Sequence, residues 1–456
     1  MTSPRAPHRA KPSRSARPCI EGLEGRLLMY AAIGGKFTHG TRITYSFIPD
    51  GTSLGGPTSN LISTMDARFG RAAWTAAFAA AAADWQYSAG VNLVQVPDNG
   101  APLGTGSYQQ GDPNFGDIRI GGYAQSSGTL AWTFSPPPIN GGPLAGDQLY
   151  NTNQLWQINS DYDLQTVAIH EFGHSLGLGH SSIQTATMAT YYQGLRQSLT
   201  TDDVAGIQSI WGGRTPDWTT SWGGNSTRAT AYDTAPNFNS YLNQVMLWDL
   251  NITNASDGHW YKVTTPANAS STFTATVQAA GRSLLSPRVQ IYNAAGGALV
   301  QASAPSSATG ANVSASISNA TPNTVYYVRT LAGAGAPTGA GGYALTINMG
   351  NMANYPMPLP STTVANQPDQ GGGGSALGKV RVKGQARLVA DESEHELEFI
   401  SIGTLSGYGD SFQAPKSGKG KGIRRVIGYQ HPKSVVKAFA VKRLGFADRL
   451  KLKVQA

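Results

Sequence analysis

The stretch His170-Glu171-Phe172-Gly173-His174-Ser175-Leu176-Gly177-Leu178-Gly179-His180 constrains this chain more than any other feature. It reads H-E-x-x-H-x-x-G-x-x-H. On a helix, His170 and His174 leave the same face about one turn apart, so both imidazoles can reach one ion. Gly177 then ends the helix, since a left-handed residue costs glycine nothing. The turn brings His180 back as a third ligand. Three neutral nitrogens with an open fourth position is the way catalytic zinc is held, whereas structural zinc has four protein ligands. Glu171 follows the first ligand directly, so its carboxylate lies beside the metal, where it can take a proton from water. A lone H-E-x-x-H also occurs as a solvated helix face, but a glycine and a third histidine at fixed offsets argue against that reading.

These residues resemble the metzincin zinc endopeptidases, and within them the matrixin (matrix metalloproteinase-like) branch. The resemblance extends to the lead-in Leu164-Gln165-Thr166-Val167-Ala168-Ile169, to Ser181, and to Thr187-Met188-Ala189 in the place of the family's Met-turn. It extends also to Leu199 through Gly212 as the closing helix. It covers roughly residues 35–214 and implies an α+β catalytic domain. It implies that Met188 sits in a tight turn beneath the zinc, packed on the ligand histidines without bonding the metal. Tyr191 and Tyr192 replace the Pro and Tyr usual in the pocket wall. In many matrixins a propeptide cysteine caps the zinc. Cys19 precedes the unit here, in surroundings unlike that switch, and reads as incidental.

A chain of 456 residues has room for two or three domains. With 55 Gly, 26 Pro and only 13% charged residues, the composition suits β-rich exported modules. A single Cys excludes an intrachain disulfide framework. The net charge of +8 is uneven: the last eighty or so residues hold about half of the 34 Lys and Arg. Few aromatics are interleaved with that charge, so nucleic-acid binding is not expected. No run of about 18 apolar residues appears, so no membrane span is expected.

The order of elements agrees with the resemblance. Residues 42–47 alternate as a half-buried strand, and Asn60 to Ser88 carries Ile62, Met65, Phe69, Trp74, Phe78, Ala81 and Trp85 at helical spacing. Strands are predicted at Val91–Val96, Asp117–Ile120 and Gly128–Phe134, the last as the edge on which an extended peptide would pair. Matrixins commonly hold a second zinc and calcium ions between this strand and the metal helix. The matching positions here are Trp132, Leu149, Asn151 and Gln154, and no His lies between His39 and His170. A second His-built zinc site is therefore not expected. Calcium stays open through Asp112, Asp117, Asp147, Asp161 or Asp163, each of which also suits an ordinary turn. Thr200 or Thr201 is expected to cap the last helix.

Residues 1–34 read as a leader or export segment, basic at first and similar to the LEPR-XLL motif near Leu23–Leu28, with Gly25 where that motif has Pro. Residues 215–230 read as a linker. Residues 231–349 read as an all-β sandwich, with strands near 260–263, 272–277, 289–292, 325–328 and 343–347. It is similar to bacterial pre-peptidase C-terminal domains. A Pro- and Gly-rich linker follows at 350–375, then a basic segment at 376–456 with a candidate hairpin at Lys379–Ala390.

The function expected is that of a secreted or cell-surface bacterial zinc endopeptidase, a monomer acting on protein or peptide substrates. One zinc is held by His170, His174 and His180, with Glu171 as general base. The C-terminal regions could contact a cell envelope or matrix surface. Two other classes compete: an inactive surface or adhesion protein that keeps the fold, and a polymer-binding protein organised around the basic tail. The intact Glu171 argues against the first.

Overall fold

The computed structural model describes residues 30–126, 128–220, 223–305, 308–333 and 339–366, together with strand backbones at 397–402, 430–431 and 434–435. Cys19, Leu23–Leu28 and the candidate hairpin at Lys379–Ala390 lie outside these residues.

The alternating segment after Arg42 forms β1 (Ile43–Phe47), buried along its whole length. The apolar stretch after Asn60, expected as one helix, forms two: α1 (Leu61–Phe69) and α2 (Arg71–Ser88). The break is Gly70, at φ 74°, a conformation glycine adopts without steric cost. The helical period survives the break, because Met65, Trp74, Phe78, Ala81 and Trp85 are all buried. The strands β2 (Leu93–Gln95), β3 (Tyr108–Gln110), β4 (Ile118–Tyr123), β5 (Thr129–Phe134) and β6 (Gln148–Asn151) follow. Then come the motif helix α3 (Leu164–Ser175), the short β7 (Tyr191–Tyr192) and α4 (Thr201–Trp211). Thr200 caps α4 in a capping box with Asp203.

The sheet runs β2-β1-β4-β6-β5, parallel except that β5 is antiparallel to β6. α2 and α3 pack together, joined by Trp85 Nε1 donating to Ile169 O at 2.8 Å. The shared core holds Tyr45, Trp74, Phe78, Tyr150, Trp156, Phe172 and Met188. The far side of β5 is not open: β19 (Leu397–Ile402) lies parallel to it and antiparallel to β7.

The second unit is a β-sandwich, as expected. Its first strands are β8 (Tyr232–Asp233), β9 (Phe238–Asn239), β10 (Gln244–Ile252), β11 (Gly258–Thr264) and β12 (Phe273–Gln278). The others are β13 (Pro287–Asn293), β14 (Ala298–Ser303), β15 (Asn312–Ile317), β16 (Val325–Ala332) and β17 (Gly341–Asn348). Five-stranded sheets of order β15-β12-β17-β10-β9 and β14-β13-β16-β11-β8 enclose Tyr261, Phe273, Ile291, Tyr343 and Leu345. β18 (Val364–Ala365) returns to pair with β3 of the first unit.

The two units meet through buried polar contacts. Gln86 of α2 is fully buried; its Nε2 donates to Ala340 O at 2.7 Å, and its Oε1 accepts from Leu284 N at 3.0 Å. Arg42 Nε donates to Gly281 O at 2.7 Å, and Gly342 N donates to Asn92 Oδ1 at 3.1 Å. Arg214 reaches Asn92 Oδ1 at 3.0 Å and also bonds Asn251 Oδ1. Leu284 of the sandwich packs into the core of the first unit. The 215–230 segment is tied down as well, with Asp217, Thr219 and Asn225 buried and Asn225 O accepting from Trp260 N at 2.7 Å.

Candidate metal centre

α3 starts at Asp163, whose carboxylate accepts from both Thr166 N and Thr166 Oγ1 at 2.8 Å. The helix is buried on all sides, so its histidines stand in a dry environment. It stops at Leu176, and Gly177 follows at φ 109°. A Cβ at Gly177 would strike the carbonyl oxygen of Gly35, so close approach requires glycine here as much as the turn does. Ile33 N donates to Gly177 O at 2.8 Å, and Gly179 N donates to Ala31 O at 2.7 Å. The end of the expected leader segment is thus strapped along the loop that delivers His180.

The structure brings His170, His174 and His180 together, with one ligand atom from each within 4.8 Å of the others. His170 Nδ1 lies 2.8 Å from Thr187 O, and His174 Nδ1 lies 2.8 Å from Leu178 O. A carbonyl oxygen only accepts, so both Nδ1 atoms carry the proton and both Nε2 lone pairs are left for a metal. His174 Nε2 is buried and makes no hydrogen bond within the chain. Burial, then the neighbouring histidines, hold His170 well below its ordinary range. Burial, then His180, hold His174 at about 3. Both rings are therefore neutral, the state a zinc ligand must have. Nitrogen donors in this number and spacing fit zinc, and among the described residues no other group of three His, Cys, Asp or Glu converges in this way.

Glu171 is fully buried. Its Oε2 accepts from Thr133 Oγ1 at 2.5 Å, while Oε1 has no hydrogen-bond partner. Burial pushes its carboxyl up to about 8, against the pull of the Thr133 hydroxyl.

Met188 is 2% exposed and lies in a turn fixed from two sides. Ser181 N donates to Met188 O at 2.7 Å. Asp203 of α4 accepts from Thr187 N and Met188 N, both at 3.0 Å. A Cβ on Gly173 would collide with the Met188 thioether, so the turn packs directly against the motif helix. Tyr192 packs beside α3: its ring stacks on Tyr162 at 5.7 Å and its hydroxyl accepts from Asp163 N at 3.0 Å.

Thr133, Asp203 and Gln86 are the site and support residues that pattern reading does not single out. A threonine at the inward phase of β5, shared with Ala131, is the signal for Thr133; Asp203 reads only as first-turn charge. The aspartates left open for calcium are engaged in the fold. Asp117 accepts from Thr44 N at 2.8 Å, Asp147 from Arg119 N at 2.7 Å, and Asp163 caps α3. Asp112 and Asp161 close local turns, accepting from Asn114 N at 2.9 Å and Tyr162 N at 3.0 Å.

Residues 59–212 match the family model described as Peptidase_M10, Matrixin. Karilysin of Tannerella forsythia is 39% identical over 112 residues, 22% of this chain and 24% of that protein. Hatching enzyme of Paracentrotus lividus is 35% identical over 144 residues, 30% of this chain and 22% of that protein. Matrilysin of Rattus norvegicus is 43% identical over 91 residues, 19% of this chain and 33% of that protein. The chain thus spans a third or less of the length of these relatives. The matched segment is similar to matrixin catalytic domains, and His170, His174 and His180 within it form a group that could hold a zinc ion.

Proposed function

We propose that the chain is a secreted zinc-dependent endopeptidase that cleaves extended segments of protein substrates, with Glu171 as general base. The observation that carries this reading is the convergence of three imidazoles next to a buried carboxylate with one unengaged oxygen. When bound, zinc supplies a Lewis acid that lowers the pKa of water toward about 7 and polarises a scissile carbonyl. Glu171 Oε1 takes the proton from the attacking water and delivers it to the leaving amine, and no covalent intermediate is required. His170 and His174 are held in orientation by Thr187 O and Leu178 O. Met188 supports that face of α3 from below through its contact with Gly173.

Substrate binding is supported by the strands around the site. An extended segment already fits between β5 and β7, as β19 does, so backbone pairing is available to a peptide there. The Tyr191–Tyr192 strand forms the facing wall. Export is supported by the basic leader composition.

The test is hydrolysis of a denatured protein by the purified chain, with and without a chelator, alongside Glu171→Ala and metal analysis. Wild type should cleave in a chelator-sensitive way. The variant should keep one zinc and lose about 10²–10⁴-fold in turnover, the range general acid–base catalysis supplies. Zinc-loaded wild type that cleaves nothing would leave the chain as an inactive surface protein with this fold.

A further inference from the structure

We propose that Thr133 is a positioning residue for the reaction: its hydroxyl clamps Oε2 of Glu171 and so dedicates Oε1 to proton transfer. This rests on Glu171 being the proton carrier.

Thr133 sits in β5, paired with Gln148 of β6, and is fully buried. It is the one residue that gives the Glu171 side chain a hydrogen bond among the described residues, at 2.5 Å. The same hydroxyl also lies 3.4 Å from Glu171 O, the longer of its two contacts. A hydroxyl has a single proton to give, and the carboxylate is the closer and stronger acceptor.

The polar groups nearby are committed elsewhere. Tyr150 donates to Gln148 Oε1 at 3.1 Å, Gln148 Nε2 to Ser175 Oγ at 2.9 Å, and Ser175 Oγ to Gly146 O at 2.7 Å. This chain of bonds runs beneath the carboxylate without ending on it. Among the described residues no other group bonds the carboxylate, so without Thr133 it can rotate about its last torsion, which is broad and two-fold. With it, one oxygen is anchored to the sheet and the other stays unengaged. A β-branched residue suits this job, because its χ1 is stiff in a strand and the hydroxyl cannot swing away.

The experiment compares wild type, Thr133→Ser, Thr133→Val and Thr133→Ala as full chains with zinc measured in each. Valine keeps the shape and loses the hydroxyl; alanine loses both and serves if valine fails to fold. Serine keeps the donor. The expected result for valine and alanine is a kcat about 10–100-fold lower, the usual cost of losing a partner of a metal-site residue, with KM within about twofold and zinc retained. Serine should stay within about threefold of wild type. Crystal structures supply a readout independent of turnover: the Glu171 carboxylate should hold one orientation in wild type and serine, and be turned or doubled in valine and alanine. Wild-type kcat in valine and alanine overturns the clamp, as does an unmoved carboxylate. A loss shared equally by serine overturns it too, since the methyl would then be what matters. If wild type cleaves nothing and the carboxylate still turns in valine, the clamp stands as geometry and the endopeptidase reading is what fails.

Discussion

Replacing Gln86 with leucine tests whether the sandwich and the catalytic unit are one cooperative body. Gln86 is on α2, fully buried, and makes three hydrogen bonds with a single side chain. Its Oε1 accepts from Leu93 N at 3.0 Å within its own unit and from Leu284 N at 3.0 Å across the interface; its Nε2 donates to Ala340 O at 2.7 Å. Leucine has a similar volume but can make none of these bonds. Each buried group that loses its partner costs about 1–3 kcal/mol, so the substitution should cost about 3–6 kcal/mol, treating the three as not fully additive. That is a large share of a stability of about 5–15 kcal/mol. Urea unfolding followed by tryptophan fluorescence and by circular dichroism should show a single shared transition in wild type, moved to lower urea in Gln86→Leu. Gln290→Leu, on the half-exposed face of β13, should move it by less than about 0.5 kcal/mol. A loss below about 1 kcal/mol for Gln86→Leu, or separate transitions in wild type, would refute the reasoning.

Three further outcomes follow from particular contacts. His259 is buried between Asp217 at 3.3 Å and Asp257 at 3.2 Å; burial opposes its charge, but the two carboxylates outweigh this and hold it at about 9, above its ordinary 6.5. Its contribution, on the order of 3 kcal/mol, is complete below pH 6.5 and lost as pH rises through about 9; urea midpoints should fall across that window in wild type and stay flatter in His259→Gln. Gly173→Ala should lower the melting temperature and loosen zinc under chelator competition, because the new methyl meets the Met188 thioether and lies 2.9 Å from Trp85; helix propensity alone forecasts the opposite sign, so a raised melting temperature would refute the packing account. A chain ending at Asn366 loses β19 from between β5 and β7 and should show several-fold higher kcat/KM on peptides, since a tethered occupant competes at high effective concentration; equal values would show that the strand does not obstruct the cleft.

What could be read in the sequence was what short spacing encodes. The triad needs only a helical turn and one glycine bend, so its convergence follows from eleven consecutive letters. The Gly70 break did not show, because apolar spacing continues on both sides and only the backbone angle marks it. β10 escaped notice because its pairing with β17 shifts between Leu247 and Leu250, where Asp249 takes φ 55° and interrupts the alternation. β14 and β15 are half Ala and Ser with exposed alternate positions, too weak a pattern to register. The supports were hidden for a different reason. Thr133 reaches Glu171 across 38 positions and Gln86 reaches Leu284 across 198, distances that no local period reports.

The region between β4 and α3, where the resemblance would place additional metals, is tied together by a side-chain amide. Asn151 uses its full capacity there. Its Oδ1 accepts from Gln125 N at 2.9 Å and Asn153 N at 3.0 Å; its Nδ2 donates to Thr129 O at 2.7 Å and Ser126 O at 3.2 Å. One amide thus staples the turn before β5 to the end of β6. Close by in the sheet, Arg119 is paired with Asp98 at 2.7 Å, both fully buried, and its guanidinium also donates to Ala101 O at 2.8 Å. Asn151→Ala should therefore cost about 2–4 kcal/mol by stranding buried backbone groups, and should strip hydrogen-exchange protection from the Gln125 and Asn153 amides. A staple made by these protein groups predicts a loss of the same size with chelator present or absent. Calcium that raised the stability of wild type by linkage, or restored the alanine variant, would mean that the loop is built around a cation after all.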